Sequence, residues 1–114
     1  MKKLQLEKSH FSGMKQALTE VVDMGWCPMV RKEPAGLRED LHFHMFPNWS
    51  YMITGSVTFT DGEGNEYEAG AGDRILIPAK TLHAGSSDVE IVFVFSTPEP
   101  IWLGDKLTFE PSEL

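Results

Sequence analysis

The chain has 114 residues, a formal net charge of -7 and a single cysteine, Cys27. That length predicts one domain, 1–114, with a core large enough to fold without cross-links, and the lone cysteine excludes an intrachain disulfide. An acidic chain without a basic stripe argues against nucleic-acid binding, whose affinity comes largely from Lys and Arg on phosphates.

The opening stretch Met1-Lys2-Lys3-Leu4-Gln5-Leu6-Glu7-Lys8 is too charged for a signal-peptide core, and no apolar run approaches a membrane span. A cytoplasmic protein is the expectation, with no membrane partner. His10 lies in no ligand spacing and is assigned a surface or minor structural role. Residues 12–24 predict a helix, because Met14, Ala17, Leu18, Val21 and Val22 fall on one amphipathic stripe. Ser12 is the expected N-cap and Gly25 the expected stop, and the stripe is expected to pack on a sheet. Cys27, between Trp26 and Pro28, reads as a buried, inert thiol.

From Trp26 onward the pattern is β, over about 26–110. Expected strands are 29–33, 41–46, 50–54, 57–60, 66–68, 74–77 and 90–95, with a short piece near 106–109. Turn signals separate them: Pro34-Ala35-Gly36, Gly55, Asp61 to Asn65, Gly70 to Asp73, and Gly85-Ser86-Ser87-Asp88. Many short strands at this spacing predict a sandwich or jelly roll. The run 91–95 is apolar on both faces and predicts a central strand.

Three of the four histidines sit in two short stretches, His42-Phe43-His44 and Pro78 to His83. Alternate side chains on a strand share a face, so His42 and His44 point the same way. A jelly roll pairs strands far apart in sequence, which allows His83 to join them. Neutral imidazole ligates zinc, iron, nickel and copper, and three such ligands leave an open position.

Around these histidines the chain resembles the cupin family. The first cupin motif is a glycine, five residues, HxH, three or four residues, a glutamate, six residues and a glycine. Here Gly36, His42-Phe43-His44, Asn48 and Gly55 stand at those positions. The second motif is a glycine, five residues, PxG, two residues, a histidine, three residues and an asparagine. Here Gly72, Pro78-Ala79-Lys80, His83 and Ser87 match its spacing. The resemblance covers most of Gly36 to Ser96 and implies an all-β cupin double-stranded β-helix, a jelly-roll barrel, with one N-terminal α-helix. It also implies a divalent metal on His42, His44 and His83.

Three positions depart from the family pattern. Asn48 replaces a glutamate ligand, Lys80 a glycine, and Ser87 an asparagine. No Asp or Glu lies between Asp40 and Asp61, so the site reads as a three-histidine variant with Asn48 as a weak amide-oxygen contact. Losing a negative ligand raises the site's net charge and favours an anionic, chelating substrate or a bound hydroxide. Lys80 is expected to have relaxed the tight turn, with its ammonium in water.

Face assignment points Phe46 inward with the histidines. Leu41, Phe43 and Met45 then form an outward apolar row that needs a cover, either the helix or a second subunit. Cupins are often dimers, so a homodimer is expected. Tyr51, Ile53, Val57 and Phe59 share parity and are placed inside. The cavity walls are then Phe46, Tyr51, Ile53, Ile77 or Leu76, and Phe93 or Phe95. Tyr51 and Phe46 are the candidate substrate contacts, with the Tyr51 phenol as polar handle. Trp49 is read as packing, and Arg31, Arg38 and Arg74 as possible anion clamps, Arg74 more readily in a surface pair. Glu33, Glu39 and Asp40 precede the motif, and nothing in the sequence makes one of them a base.

Three-histidine cupins resemble dioxygenases in which iron(II) binds a chelating anion and O2. An iron(II) dioxygenase-like oxidoreductase on a small anionic substrate is therefore the first functional expectation. Zn2+, Mn2+ or Ni2+ in Lewis-acid isomerisation or hydrolysis fits the same ligands. A non-catalytic cupin that binds or senses a small molecule is the alternative.

Overall fold

The computed structural model describes residues 3–102 and 104–114. Its strands are β1 (Gln5–Glu7), β2 (Cys27–Glu33), β3 (Leu37–Arg38), β4 (Asn48–Thr54), β5 (Ser56–Asp61), β6 (Glu66–Gly70), β7 (Arg74–Ile77), β8 (His83–Ser87) and β9 (Ile91–Thr97), with one helix, α1 (Gly13–Asp23). A short 3-10 turn, Pro111–Glu113, follows near the end. Two antiparallel sheets face each other, ordered β1-β7-β4-β9-β2 and β3-β8-β5-β6. From β6 onward successive strands alternate between the sheets, which makes the double-stranded β-helix. Among the described residues no helix is long and apolar enough to cross a membrane.

α1 forms where its stripe predicts. Ser12 occupies the N-cap with an extended backbone, although its hydroxyl makes no capping bond. Gly25 ends the helix at φ +77, with Gly25 N–H donating to Val22 O and Trp26 N–H to Val21 O. This pair of bonds is a Schellman cap, which needs a left-handed residue that glycine adopts without strain. Ala17 and Val21 are fully buried against Tyr51 and Val94 on the outer face of the five-stranded sheet. Val22, assigned to the same stripe, is 60 % exposed.

Between the sheets lies a second core of Met52, Val57, Ala69 and Ile91, packed by Leu37, Phe59 and Phe93. β9 runs between β4 and β2, as its two-faced apolar pattern predicts.

Several expectations need correction. Residues 41–46 do not form a continuous strand; His42 bridges His83 and Phe43 bridges Phe109. The ladder stops there because the His44 carbonyl accepts from Lys80 N–H at 2.8 Å, and Pro47 has no N–H to offer. The piece near 106–109 likewise reduces to the Phe109 bridge. Gly85-Ser86-Ser87, read as a turn, lies inside β8. β1 and β3 were not expected.

The outward row is also covered differently. Phe43 is buried under Phe109, ring on ring at 5.4 Å, while Leu41 and Met45 remain 37 % and 53 % exposed. Neither α1 nor a second chain is needed for Phe43.

Lys80 keeps a left-handed backbone at φ 57 rather than a relaxed turn. Its N–H bond to His44 pins this turn against the first motif. A left-handed conformation costs a non-glycine residue about 1–2 kcal/mol, and glycine costs about 0.5–1 kcal/mol in chain entropy. Lys80→Gly is therefore expected to stabilise the fold by up to about 1 kcal/mol, read as a higher urea midpoint at unchanged slope. A lower midpoint would show that the lysine side chain holds the turn.

Candidate metal centre

Three histidines converge at one end of the barrel. His42 and His83 exchange backbone bonds of 3.0 and 2.9 Å, which docks the first motif directly onto the start of β8. Ring centroids are 4.3 Å apart for His42 and His83, and 5.1 Å for His44 with each of the others. One ring nitrogen from each histidine lies within 4.8 Å of the other two.

The tautomers follow from the neighbours. Each Nδ1 faces a backbone carbonyl: His42 that of Asp40 at 2.7 Å, His44 that of Leu107 at 2.8 Å, and His83 that of Thr81 at 2.8 Å. A carbonyl only accepts, so each Nδ1 carries the proton and donates. In the neutral ring, Nε2 is then an unprotonated lone pair. Three lone pairs facing one point repel each other unless a cation stands among them. This donor set fits a divalent metal, and the carbonyl bonds are the supports that orient ligating imidazoles.

Charge states agree with that geometry. Burial holds the His83 imidazole down to about 3, against the opposing Thr81 bond, with His42 and His44 adding to the shift. Burial also lowers His44, helped by His42 and opposed by the Leu107 carbonyl. Both rings are neutral near pH 7 and available to a metal.

The histidines open into a cavity of about 630 Å³ between the sheets. Phe46 lines it and lies parallel to His44, with centroids 5.2 Å apart. Phe93, Phe95, Ile77, Met52 and Val57 supply much of the apolar wall. Both candidate phenylalanines of β9 thus face inward, and Ile77 rather than Leu76.

Asn48 is fully buried on the same wall. Its Oδ1 accepts from Ser50 Oγ at 3.3 Å, and its Nδ2 has no partner. A buried amide donor without an acceptor is costly, and it points to an acceptor supplied from the cavity.

Tyr51 is not a cavity residue. It is fully buried on the outer face, beneath α1, with its hydroxyl 3.1 Å from Arg74 Nη1 and 3.6 Å from Met24 Sδ. The parity that Tyr51 shares with Val57 breaks at a register shift between Met52 and Thr54, after which the chain crosses sheets at Gly55. A bulge inserts one residue, and one residue exchanges the faces of everything beyond it. Asn48, Ser50 and Met52 therefore face inward on β4, and Val57 and Phe59 on β5. Ile53, also placed inside, packs with Tyr51 under the helix.

Arg74 sits with Tyr51 on that outer face. It pairs with Glu7 at 2.6 Å and Glu20 at 3.2 Å and lies 3.8 Å over the Trp49 ring. His10 bonds both Glu20 oxygens in the same cluster, at 2.9 and 3.0 Å. These residues tie α1 and β1 to the sheet. Arg38 pairs with Asp88 on the surface. Of the three arginines weighed as anion clamps, only Arg31 lines the cavity, paired with Glu33 at 2.9 Å. Cys27 is a free, half-buried thiol on β2.

Sequence reasoning left two participants unassigned. The Leu107 carbonyl orients His44 from a C-terminal loop, and a backbone group leaves no signal in residue type. Glu39 lines the cavity with Oε2 3.9 Å from His42 Nε2. Burial raises its carboxyl, partly offset by His42.

Residues 32–107 match a family model described as the AraC-like ligand-binding domain. No curated protein matches the chain. Among solved structures, a DUF861 family protein from Thermotoga maritima is similar at 16% identity and TM-score 0.60, over 82% of this chain and 97% of that one. The DMSP lyase DddQ from Ruegeria pomeroyi DSS-3 is similar at 20% identity and TM-score 0.60, over 72% of this chain and 41% of that one. A salicylate 1,2-dioxygenase from Pseudoaminobacter salicylatoxidans aligns at 9% identity and TM-score 0.58, over 65% of this chain and 20% of that one. At these identities the likeness is one of fold.

Proposed function

The chain belongs to the family of AraC-like ligand-binding domains, and we propose that its barrel binds a small anionic molecule at a divalent metal held by His42, His44 and His83. The observation that carries this reading is the convergence of one ring nitrogen from each of three histidines whose Nδ1 atoms all face backbone carbonyls. Iron(II) is the favoured ion, and the activity proposed is that of a small dioxygenase-like oxidoreductase. When bound, such an ion supplies Lewis acidity and a redox couple at one point of the cavity.

The chain's own residues do the rest. The carbonyls of Asp40, Leu107 and Thr81 hold the three rings in their ligating tautomer. Phe46, Phe93 and Phe95 exclude water and contact the apolar body of the ligand. Asn48 Nδ2 donates a hydrogen bond to a ligand oxygen, rather than lending its own oxygen to the metal. Arg31 at the cavity wall attracts the anion. The likeness of fold to a salicylate dioxygenase supports testing aromatic carboxylates first.

A second reading, non-catalytic binding or sensing of a small molecule, is favoured by the family's description alone. A homodimer accords with β2, an edge strand whose Met29 and Val30 are 36 % and 52 % exposed.

Elemental analysis of untagged protein, followed by oxygen uptake with salicylate and gentisate, separates these readings. About one iron per chain with substrate-dependent uptake is the expected result. Stoichiometric Zn2+, Mn2+ or Ni2+ without uptake would move the assignment to Lewis-acid chemistry. No metal even after reconstitution would leave the binding module.

A further inference from the structure

The first motif carries Asn48 at the position of the family's glutamate, yet a carboxylate stands beside His42 on the other side of the histidine pair. Glu39 follows β3, three residues before His42. Its Oε2 lies 3.9 Å from His42 Nε2, the nitrogen left free once Nδ1 donates to Asp40. Two atoms each about 2.1 Å from one ion stand at most about 4.2 Å apart. The observed separation is within that limit. Glu39 lies outside the 4.8 Å cluster of histidine nitrogens. Ligation therefore swings the carboxylate inward about its side-chain torsions, which a side chain 40 % exposed at the cavity mouth permits.

The neighbouring strand makes room for this one group. Glu39 N–H donates to Gly85 O at 3.0 Å, extending the β3–β8 pairing by one residue. A Cβ on Gly85 would stand 2.7 Å from Glu39 Oε1. Gly85 is not among the glycines at positive φ, so its backbone conformation does not demand glycine. What the missing side chain leaves is the space that the carboxylate occupies.

We propose that Glu39 is the fourth protein ligand of the metal, supplying the negative charge that position 48 lacks. This rests on the three-histidine reading above. A carboxylate oxygen beside three imidazoles suits a divalent ion that accepts mixed nitrogen and oxygen ligands, iron(II) and manganese(II) included.

Zn2+ and Co2+ are the probes, added to the full chain of wild type, Glu39→Gln and Gly85→Ala. Chelator competition reads affinity, and the visible ligand-field spectrum of the Co2+ form reads the ligand set. Glu39→Gln keeps the shape of the side chain and is expected to bind at least about 10-fold more weakly, the loss usual for a supporting group and a minimum for a ligand. Gly85→Ala retains every ligand but moves the carboxylate from its present seat. Both Co2+ spectra should differ from wild type. Unchanged affinity in Glu39→Gln, or weaker binding with an unaltered spectrum, would overturn ligation by Glu39. A wild type that binds neither ion overturns the three-histidine reading as well, which no behaviour of the Glu39 variant alone would do.

Discussion

Replacing His83 with alanine is expected to abolish stoichiometric metal binding, with an affinity loss of at least about 100-fold. His83 is 3 % exposed and bridges both motifs through its ring and its backbone. Alanine removes the ring but keeps the two backbone bonds to His42, so the barrel should stay folded. A ligand that binds only the native state stabilises it by about 2.7 kcal/mol at a hundredfold excess over Kd. Wild type should therefore show a metal-dependent rise in Tm that the variant lacks, at unchanged circular dichroism. Full metal occupancy in folded His83→Ala would remove His83 from the site.

Acid should destabilise the metal-free protein between about pH 6.5 and pH 3. The His83 imidazole is held down to about 3 in the fold, mainly by burial, whereas in the unfolded chain it titrates near its ordinary value of about 6.5. Between those values the unfolded state binds a proton that the folded state does not. Stability conferred by neutral His83 is thus fully present above about pH 6.5 and is lost as pH falls. His44 is shifted the same way and adds to the slope. Glu39, raised by burial, acts with the opposite sign. Four carboxylates, Glu20 and Glu113 among them, are held below their ordinary range and act mainly at lower pH, and two of the four are buried. The buried two are Asp61, bonded by the Asn65 amide, and Asp73, where burial is outweighed by the Lys8 ammonium and the Gly70 and Ser9 N–H groups. Comparing urea midpoints of wild type and His83→Gln from pH 7 to 4.5 isolates the histidine. The wild type should lose up to about 2–3 kcal/mol more than the variant, and parallel curves would refute the assignment.

The barrel was legible in the chain because its determinants are local. Alternating apolar residues, turn glycines and the helical stripe each act over a few positions, and β7 is found with the bounds its pattern predicts. The histidine site was legible for a related reason. Its three side chains lie in two short stretches whose spacing is itself a signal. Tyr51 and Ile53 were misplaced because the parity they share with Val57 and Phe59 does not survive the register shift after Met52 and the crossing between sheets at Gly55, neither of which residue type records. Asn48, read from the sequence as a weak metal contact, lies on the cavity wall, and its hydrogen-bonding role depends on Ser50 engaging one end of the amide.

Residue order thus determined the strands, the helix with its glycine cap, and the three imidazoles that belong together. Tertiary structure alone decided what surrounds them. Phe43 is covered by Phe109, His44 is oriented by the Leu107 carbonyl, and Glu39 is seated against Gly85. The covering and orienting partners lie more than sixty residues along the chain from Phe43 and His44, and one is a backbone atom common to every residue. Periodicity and motif spacing carry information over one strand or one turn. What surrounds the centre comes instead from which distant residues the closed barrel brings beside it.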